Sequence, residues 1–280
     1  MMHLSRLVLA FCLSFLSSIA VYGQSAGHPP TEPAARDSLV SKYLLPTTAL
    51  RIEFGPVLIS VPGFSIGSPT AFGARWRDVF AGVGFQNRIR YADARDGALT
   101  AGFGLGDPVR SVGVEVAFTV WDTATEFFDD RSLSIMLHRF LPGDIGLGVG
   151  VENLLTTSGT DSGTSGYVVV TKIFRTRDDL EAPFSALTAS VGVGGGRFVS
   201  EENIRDGEAN GLNVFGSLGV RVLRSIAVVA DWTGQDLGIG ISIAPLRHIP
   251  LIITPAFADL AGVAGDGARF VMAAGVAYKL

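Results

Sequence analysis

The chain has 280 residues, of which 48% are hydrophobic, 17% charged and 35 glycine, with a formal net charge of −4. Soluble domains carry about a quarter charged residues, so this chain is charge-poor, and its mild acidity gives no support for nucleic-acid binding. After the N-terminus no apolar run is long enough for a helical membrane span. The apolar residues are interleaved with small and polar ones, which is the composition of a sheet with one apolar face.

The N-terminus reads as a secretory leader. Arg6 supplies the positive start, "LVLAFCLSFLSSIAV" (7–21) the apolar stretch, and small residues follow near Gly23 to Ala26. Residues 1–24 are expected to be cleaved. The single cysteine, Cys12, lies inside this leader, so the mature chain is expected to hold no disulfide, cysteine–metal site or cysteine nucleophile. Residues 25 to about 45 are Pro-rich and weakly patterned, an extended linker. "LRIEFGPVLISVPG" (50–63) alternates, but Pro56 and Pro62 interrupt it and argue against a central strand. Residues 25–76 therefore read as a periplasmic linker or as a segment folded into a lumen.

From Asp78 the pattern becomes regular, and the barrel domain is placed at 77–280. About twelve strand-length segments follow, each with one alternating apolar face. In "SVGVEVAFTVWD" (111–122), Val112, Val114, Val116, Phe118 and Val120 fill one face, and Gly113, Glu115, Ala117 and Thr119 the other. That is a period of two over about ten residues, the length that crosses a bilayer at a tilt. Connections nearly alternate in length. They are long after odd strands ("NLLTTSGTDSGTSG", "GRFVSEENIRDGEANG") and short after even ones ("GDPVR", "LRS"). Barrels that span an outer membrane sort their loops in this way, with long loops outside and tight turns in the periplasm. The predicted fold is all-β: a transmembrane antiparallel up-and-down β-barrel of about 12 strands after a cleaved signal peptide. An even strand count places both termini in the periplasm.

The pattern from 78 to 280 resembles bacterial outer-membrane β-barrel proteins. The final strand "FVMAAGVAYKL" keeps the alternation such proteins present to the barrel-assembly machinery, although it ends in Leu280 where they typically end in an aromatic residue. "SPTAFGARWRDVFAGVGFQ" (68–86) is also similar to the start of the barrel in uncharacterised cyanobacterial barrel proteins. The resemblance implies an outer-membrane location, with lipid, lipopolysaccharide and the assembly machinery as partners, and small solutes or ions if the lumen is open.

Mid-strand charges are the candidate functional residues. Glu115, Glu152, Lys172, Arg221, Asp231 and Arg269 alternate with the apolar set and are expected to face the lumen, as selectivity charges or as structural ion pairs. The lumen face is rich in glycine, including Gly82, Gly102, Gly146, Gly148, Gly192 and Gly238. "VGVGGG" and "GLGVGV" lack the strand-to-helix transition of a phosphate loop, so no cofactor is expected. The glycines leave a space for either water or the segment 46–76. The acidic residues of the long connections (Asp122, Glu126, Asp129, Asp161, Glu201 and Asp266 among them) read as a solvated surface, with "EFFDDR" and "DSGTSG" as candidate cation ligands. Trp121, Phe127, Phe128, Tyr167, Phe198 and Trp232 read as an aromatic girdle at the outer strand ends. After the leader the only histidines are His28, His138 and His248, and no G-x-S-x-G occurs, so no catalytic or metal-ligating residue is assigned. The expected role is a narrow passive channel, with a structural or surface-interaction protein lacking an open pore as the alternative. A lipid-modifying enzyme ranks third.

Overall fold

The computed structural model describes residues 61–88, 95–121, 130–155, 164–179, 181–200, 202–203, 211–262 and 267–280. The leader, the linker up to residue 60 and most acidic positions of the long connections lie outside these residues, as do Phe127 and Phe128. Twelve strands run in chain order: β1 (Asp78–Gln86), β2 (Asp96–Gly106), β3 (Gly113–Trp121), β4 (Asp130–Leu141), β5 (Ile145–Leu154), β6 (Ser165–Arg175), β7 (Ala186–Gly194), β8 (Asn213–Leu223), β9 (Ile226–Trp232), β10 (Leu237–Ile243), β11 (Leu251–Ala258) and β12 (Arg269–Lys279). Each pairs antiparallel with its sequence neighbours, and β1 pairs with β12 from Asp78↔Lys279 to Gln86↔Val271, which closes the barrel. Closure leaves no sheet edge with unpaired backbone groups.

The period-two pattern explains the two surfaces. On β5, Leu147 and Val149 point outward while Gly146, Gly148 and Gly150 point inward. Outward side chains are large and exposed: Val149 is 52% exposed, Val191 57% and Ile239 47%. They make an apolar outer wall. Exposed aromatics mark both ends of it, with Phe85 and Phe257 toward the long connections and Trp76, Phe174 and Tyr278 toward the short turns. A belt of this kind is what a bilayer requires of a barrel. No helix among the described residues is long and apolar enough to cross a membrane.

Two sequence expectations are corrected by the parity of the strands. Lys172 is not in the lumen. In β6 the buried residues are Tyr167, Val169 and Thr171, so Lys172 falls on the outer face with Val168 and Val170. The sequence "YVVVTKIF" is apolar on both faces and does not declare its inner side. Its ammonium reaches the short-turn end and donates to the carbonyl of Gly143, passing 5.5 Å from the centre of the Phe174 ring. Lys172 thus snorkels to the end of the apolar wall. Of the proposed outer girdle, Trp121, Tyr167 and Phe198 are instead buried inside. Trp121 Nε1 donates to Ser132 Oγ at 3.0 Å across the β3–β4 pair. Trp232 alone of the described set keeps the outward parity.

Candidate functional site

The inside of the barrel is the place where chemistry-bearing residues converge. The segment from Val61 to Trp76 runs through it, and every residue from Val61 to Phe72 is buried. It enters at the short-turn end, where the Gly63 N–H donates to Ser242 Oγ (2.7 Å). It rises to Asp231 near the long-loop end of β9 and then descends past Thr171 and Glu115. It leaves at the short-turn end, where the Trp76 N–H donates to the Gly106 carbonyl (2.9 Å) and β1 begins. This strap has no strand partner along most of its length. Its backbone donors inside a closed wall must find side-chain acceptors.

Besides Ser242, three lumen-facing side chains meet that need. Asp231 Oδ2 accepts from Ser65 Oγ (2.8 Å), the Ile66 N–H (2.9 Å) and the Ser68 N–H (3.2 Å). Its Oδ1 lies 2.8 Å from Ser68 Oγ. Glu115 Oε2 accepts from the Ala74 N–H at 2.7 Å. Thr171 Oγ1 accepts from the Ala71 N–H at 2.9 Å, and is itself 2.9 Å from Ser190 Oγ. With two backbone N–H groups and two hydroxyls on one carboxylate, Asp231 is the main polar anchor of the strap.

The remaining sequence-selected charges are also committed. Glu152 takes the guanidinium of Arg197 on both oxygens (Nε 2.5 Å, Nη2 3.2 Å), and both side chains are buried. Arg197 Nη1 also reaches the Gly67 carbonyl at 3.3 Å, which ties the top of the strap to the β7–β8 connection. Arg269 pairs with Asp236 at 2.5 Å, both fully buried beneath the long-loop end. Arg221 lies over the Phe64 ring of the strap, 5.7 Å from its centre. Of the six selected charges, therefore, five are inside, each engaged by the strap or by a buried counter-ion, and Lys172 is outside.

Glycine makes the room. A side chain at Gly104 would meet the backbone of Ala74 and Arg75 at 2.3 Å, one at Gly146 would meet Ala71 and Phe72 at about 3 Å, and one at Gly219 would meet Phe64 at 2.7 Å. Other inward glycines sit directly across from large rings in the register: Gly102 opposite Phe80, Gly150 opposite Tyr167, Gly192 opposite Phe215 and Gly113 opposite His138. Each ring covers its glycine, the pairing by which aromatics stabilise a sheet at glycine. Tyr167, Phe198 and Phe215 then pack on one another, with Phe198 and Phe215 stacked at 4.3 Å.

His138 is buried between Gly73 and Gly113 and stacked on Phe140 at 5.5 Å. His248 is exposed in the β10–β11 connection. Among the described residues no cluster of His, Cys, Asp or Glu has the arrangement of a metal centre. Sequence reasoning missed Ser65, Ser68, Thr171, Ser242 and Arg197. The first two carry no local signature. Arg197 lies in a connection that reads as an outer loop, yet it folds inward as part of the 3-10 turn Gly196–Phe198.

The closed pairing, the apolar outer wall and the filled interior define a twelve-stranded antiparallel barrel of the transmembrane type. No protein-family profile matches the chain, and no curated protein does. Among solved structures, the N-terminal β-barrel domain of Pseudomonas aeruginosa OprF is similar at 9% identity and a TM-score of 0.19, over 72% of this chain and 98% of that one. Ail, the attachment invasion locus protein of Yersinia pestis, is similar at 9% identity and a TM-score of 0.17, over 72% of this chain and 97% of that one. Scores of this size carry no weight beside the strand pairing itself.

Proposed function

We propose that this chain is a non-enzymatic outer-membrane β-barrel protein, held closed at rest by its own strap, with both ends of the barrel domain on the periplasmic side. The start of β1 and the end of β12 pair with each other at the short-turn end, which supports that orientation. One observation carries the closed state. Residues 61–76 occupy the lumen, and the N–H groups of Gly63, Ile66, Ser68, Ala71, Ala74 and Trp76 donate to Ser242, Asp231, Thr171, Glu115 and Gly106. A lumen built to that degree around a resident segment suits a structural or surface-interaction role, and the barrel-assembly machinery and outer-leaflet lipopolysaccharide are the partners such a role requires.

A gated narrow channel is the second reading. It is favoured because two wall carboxylates, Asp231 and Glu115, accept three of the strap's backbone N–H groups, and such contacts can be released without breaking the wall. Single-channel conductance in a planar bilayer separates the two. The full chain is expected to be silent. If the double variant Asp231→Ala/Glu115→Ala conducts steadily while remaining a heat-modifiable barrel in gel electrophoresis, the chain is a gated channel. If it stays silent, the closed structural reading stands. Steady conductance from the unaltered chain would remove it.

A further inference from the structure

The short-turn end of the barrel carries a basic residue at every junction around its circumference. Arg110 lies between β2 and β3, Arg139 just before the β4–β5 turn, Arg177 between β6 and β7, Arg224 between β8 and β9, and Arg247 between β10 and β11. Arg77 and Lys279 meet at the β1–β12 seam. Acidic residues are present but mostly engaged: Asp107 with Arg110 at 3.4 Å, Asp144 with Arg175 at 2.8 Å, and Asp78 with Arg75 at 3.8 Å. Glu181 is shared between Arg224 (3.1 Å) and Arg247 (3.0 Å), so that group keeps a positive charge. Only the β6–β7 turn has surplus acid, from Asp178 and Asp179 beside Arg177. Taken together the long connections at the other end have the opposite sign in sequence, with Glu126, Asp129, Asp161, Glu201 and Asp206 among their residues, although the β1–β2 connection is basic, with Arg88, Arg90 and Arg95 against Asp93.

Exposed apolar side chains alternate with these cations at the same end: Trp76 is 60% exposed, Phe184 53%, Ile249 52% and Tyr278 54%. Lys172 marks the boundary, since it leaves the apolar outer wall to bond the Gly143 carbonyl in the β4–β5 turn. Cations mixed with amphipathic rings at the edge of an apolar wall suit a bilayer interface, where anionic headgroups attract Lys and Arg. A protein or a single soluble ligand would need a patch on one side, whereas this ring surrounds the whole molecule. The partner that also surrounds it is the lipid leaflet.

We propose that the short-turn end is a collar for anionic phospholipid headgroups, densest at the β1–β12 seam where Arg75, Arg77, Arg110 and Lys279 outnumber Asp78 and Asp107. This inference rests on the bilayer-spanning reading above. The test uses the full chain folded in neutral detergent micelles and titrated with phosphatidylglycerol or phosphatidylcholine, with thermal unfolding followed by tryptophan fluorescence. Phosphatidylglycerol is expected to raise the unfolding temperature at lower concentration than phosphatidylcholine, and high salt to abolish the difference. The variant Arg77→Gln/Arg139→Gln/Lys279→Gln is expected to bind phosphatidylglycerol about fivefold more weakly per charge removed. The charge-preserving variant Arg77→Lys/Arg139→Lys/Lys279→Arg is expected to behave as the parent. Equal stabilisation by the two lipids, or an undiminished response in the neutralised variant, overturns the collar. If the neutralised variant does not fold, the charge-preserving one decides, because a salt-insensitive phosphatidylglycerol response in it also overturns the collar. A parent chain that never folds into micelles or vesicles of either lipid takes down the bilayer reading, and the collar with it.

Discussion

At the scale of single residues, Asp231 shows how one buried carboxylate can hold a segment that has no strand to lean on. Its four contacts are two backbone N–H groups and two hydroxyls. The hydroxyls have alternatives, since Ser65 Oγ also reaches the Ser68 carbonyl and Ser68 Oγ lies 2.9 Å from that of Trp232. The two N–H groups do not rotate. In Asp231→Ala they are left buried without acceptors, at a cost of about 1–3 kcal/mol each. The expected outcome is a lower urea midpoint for the folded barrel in micelles and new protease cleavage between residues 61 and 72. Asp231→Asn keeps one acceptor oxygen and should fall between the two. An unchanged midpoint together with an uncleaved strap would mean that Asp231 is not the anchor.

At the scale of the element, the strap and the glycines of the wall are one packing solution. Glycine in a strand is normally a weakness. Here it is the condition for close approach, because the strap backbone at Ala74–Arg75 stands where a side chain on Gly104 would be. Gly104→Ala places carbon against backbone that a rotamer change cannot move. It is expected to destabilise by about 1–3 kcal/mol, the usual cost of overfilling a packed interior. Gly166→Ala is the matched control, since that outward position has nothing within 4 Å. Thermal unfolding of the two variants checks the idea. Equal midpoints would show that the strap does not press on the wall.

At the scale of the whole molecule, the apolar outside and the polar-anchored inside invert the arrangement of a soluble barrel. Val149 lies outward in the middle of β5, in register with Leu137 on β4 and Val168 on β6, and is half exposed. In a bilayer, Val149→Arg places a cation near the midplane at about 2–4 kcal/mol, and the yield of folded barrel on refolding into vesicles should fall steeply. Lys172→Gln, at the end of the wall, should be nearly neutral, because the cost of charge there is only about 0–1 kcal/mol. In a protein surrounded by water both substitutions would be harmless, so indifference to Val149→Arg would refute the membrane assignment.

The sequence by itself pointed to about twelve strands, to where each falls in the chain, and to which face of most strands turns outward. Each of these is written locally, in a period of two and in loop lengths that sort by parity. It also marked five of the interior charges, because a mid-strand charge alternating with valine or leucine is costly on the lipid face. Parity failed at β6, where both faces are apolar up to Lys172, and at the strand ends, where Trp121 and Tyr167 look like interface aromatics until their small neighbours on the preceding strand, Ala98 and Gly150, are known. Only the tertiary structure decided what fills the lumen. The contacts that seat the strap join residues 30 to 179 positions apart, from Trp76–Gly106 to Gly63–Ser242. No local pattern encodes such pairs. They arise because the barrel, once closed, leaves a glycine-lined space with acceptors on its wall, and the strap supplies the backbone donors that those acceptors satisfy.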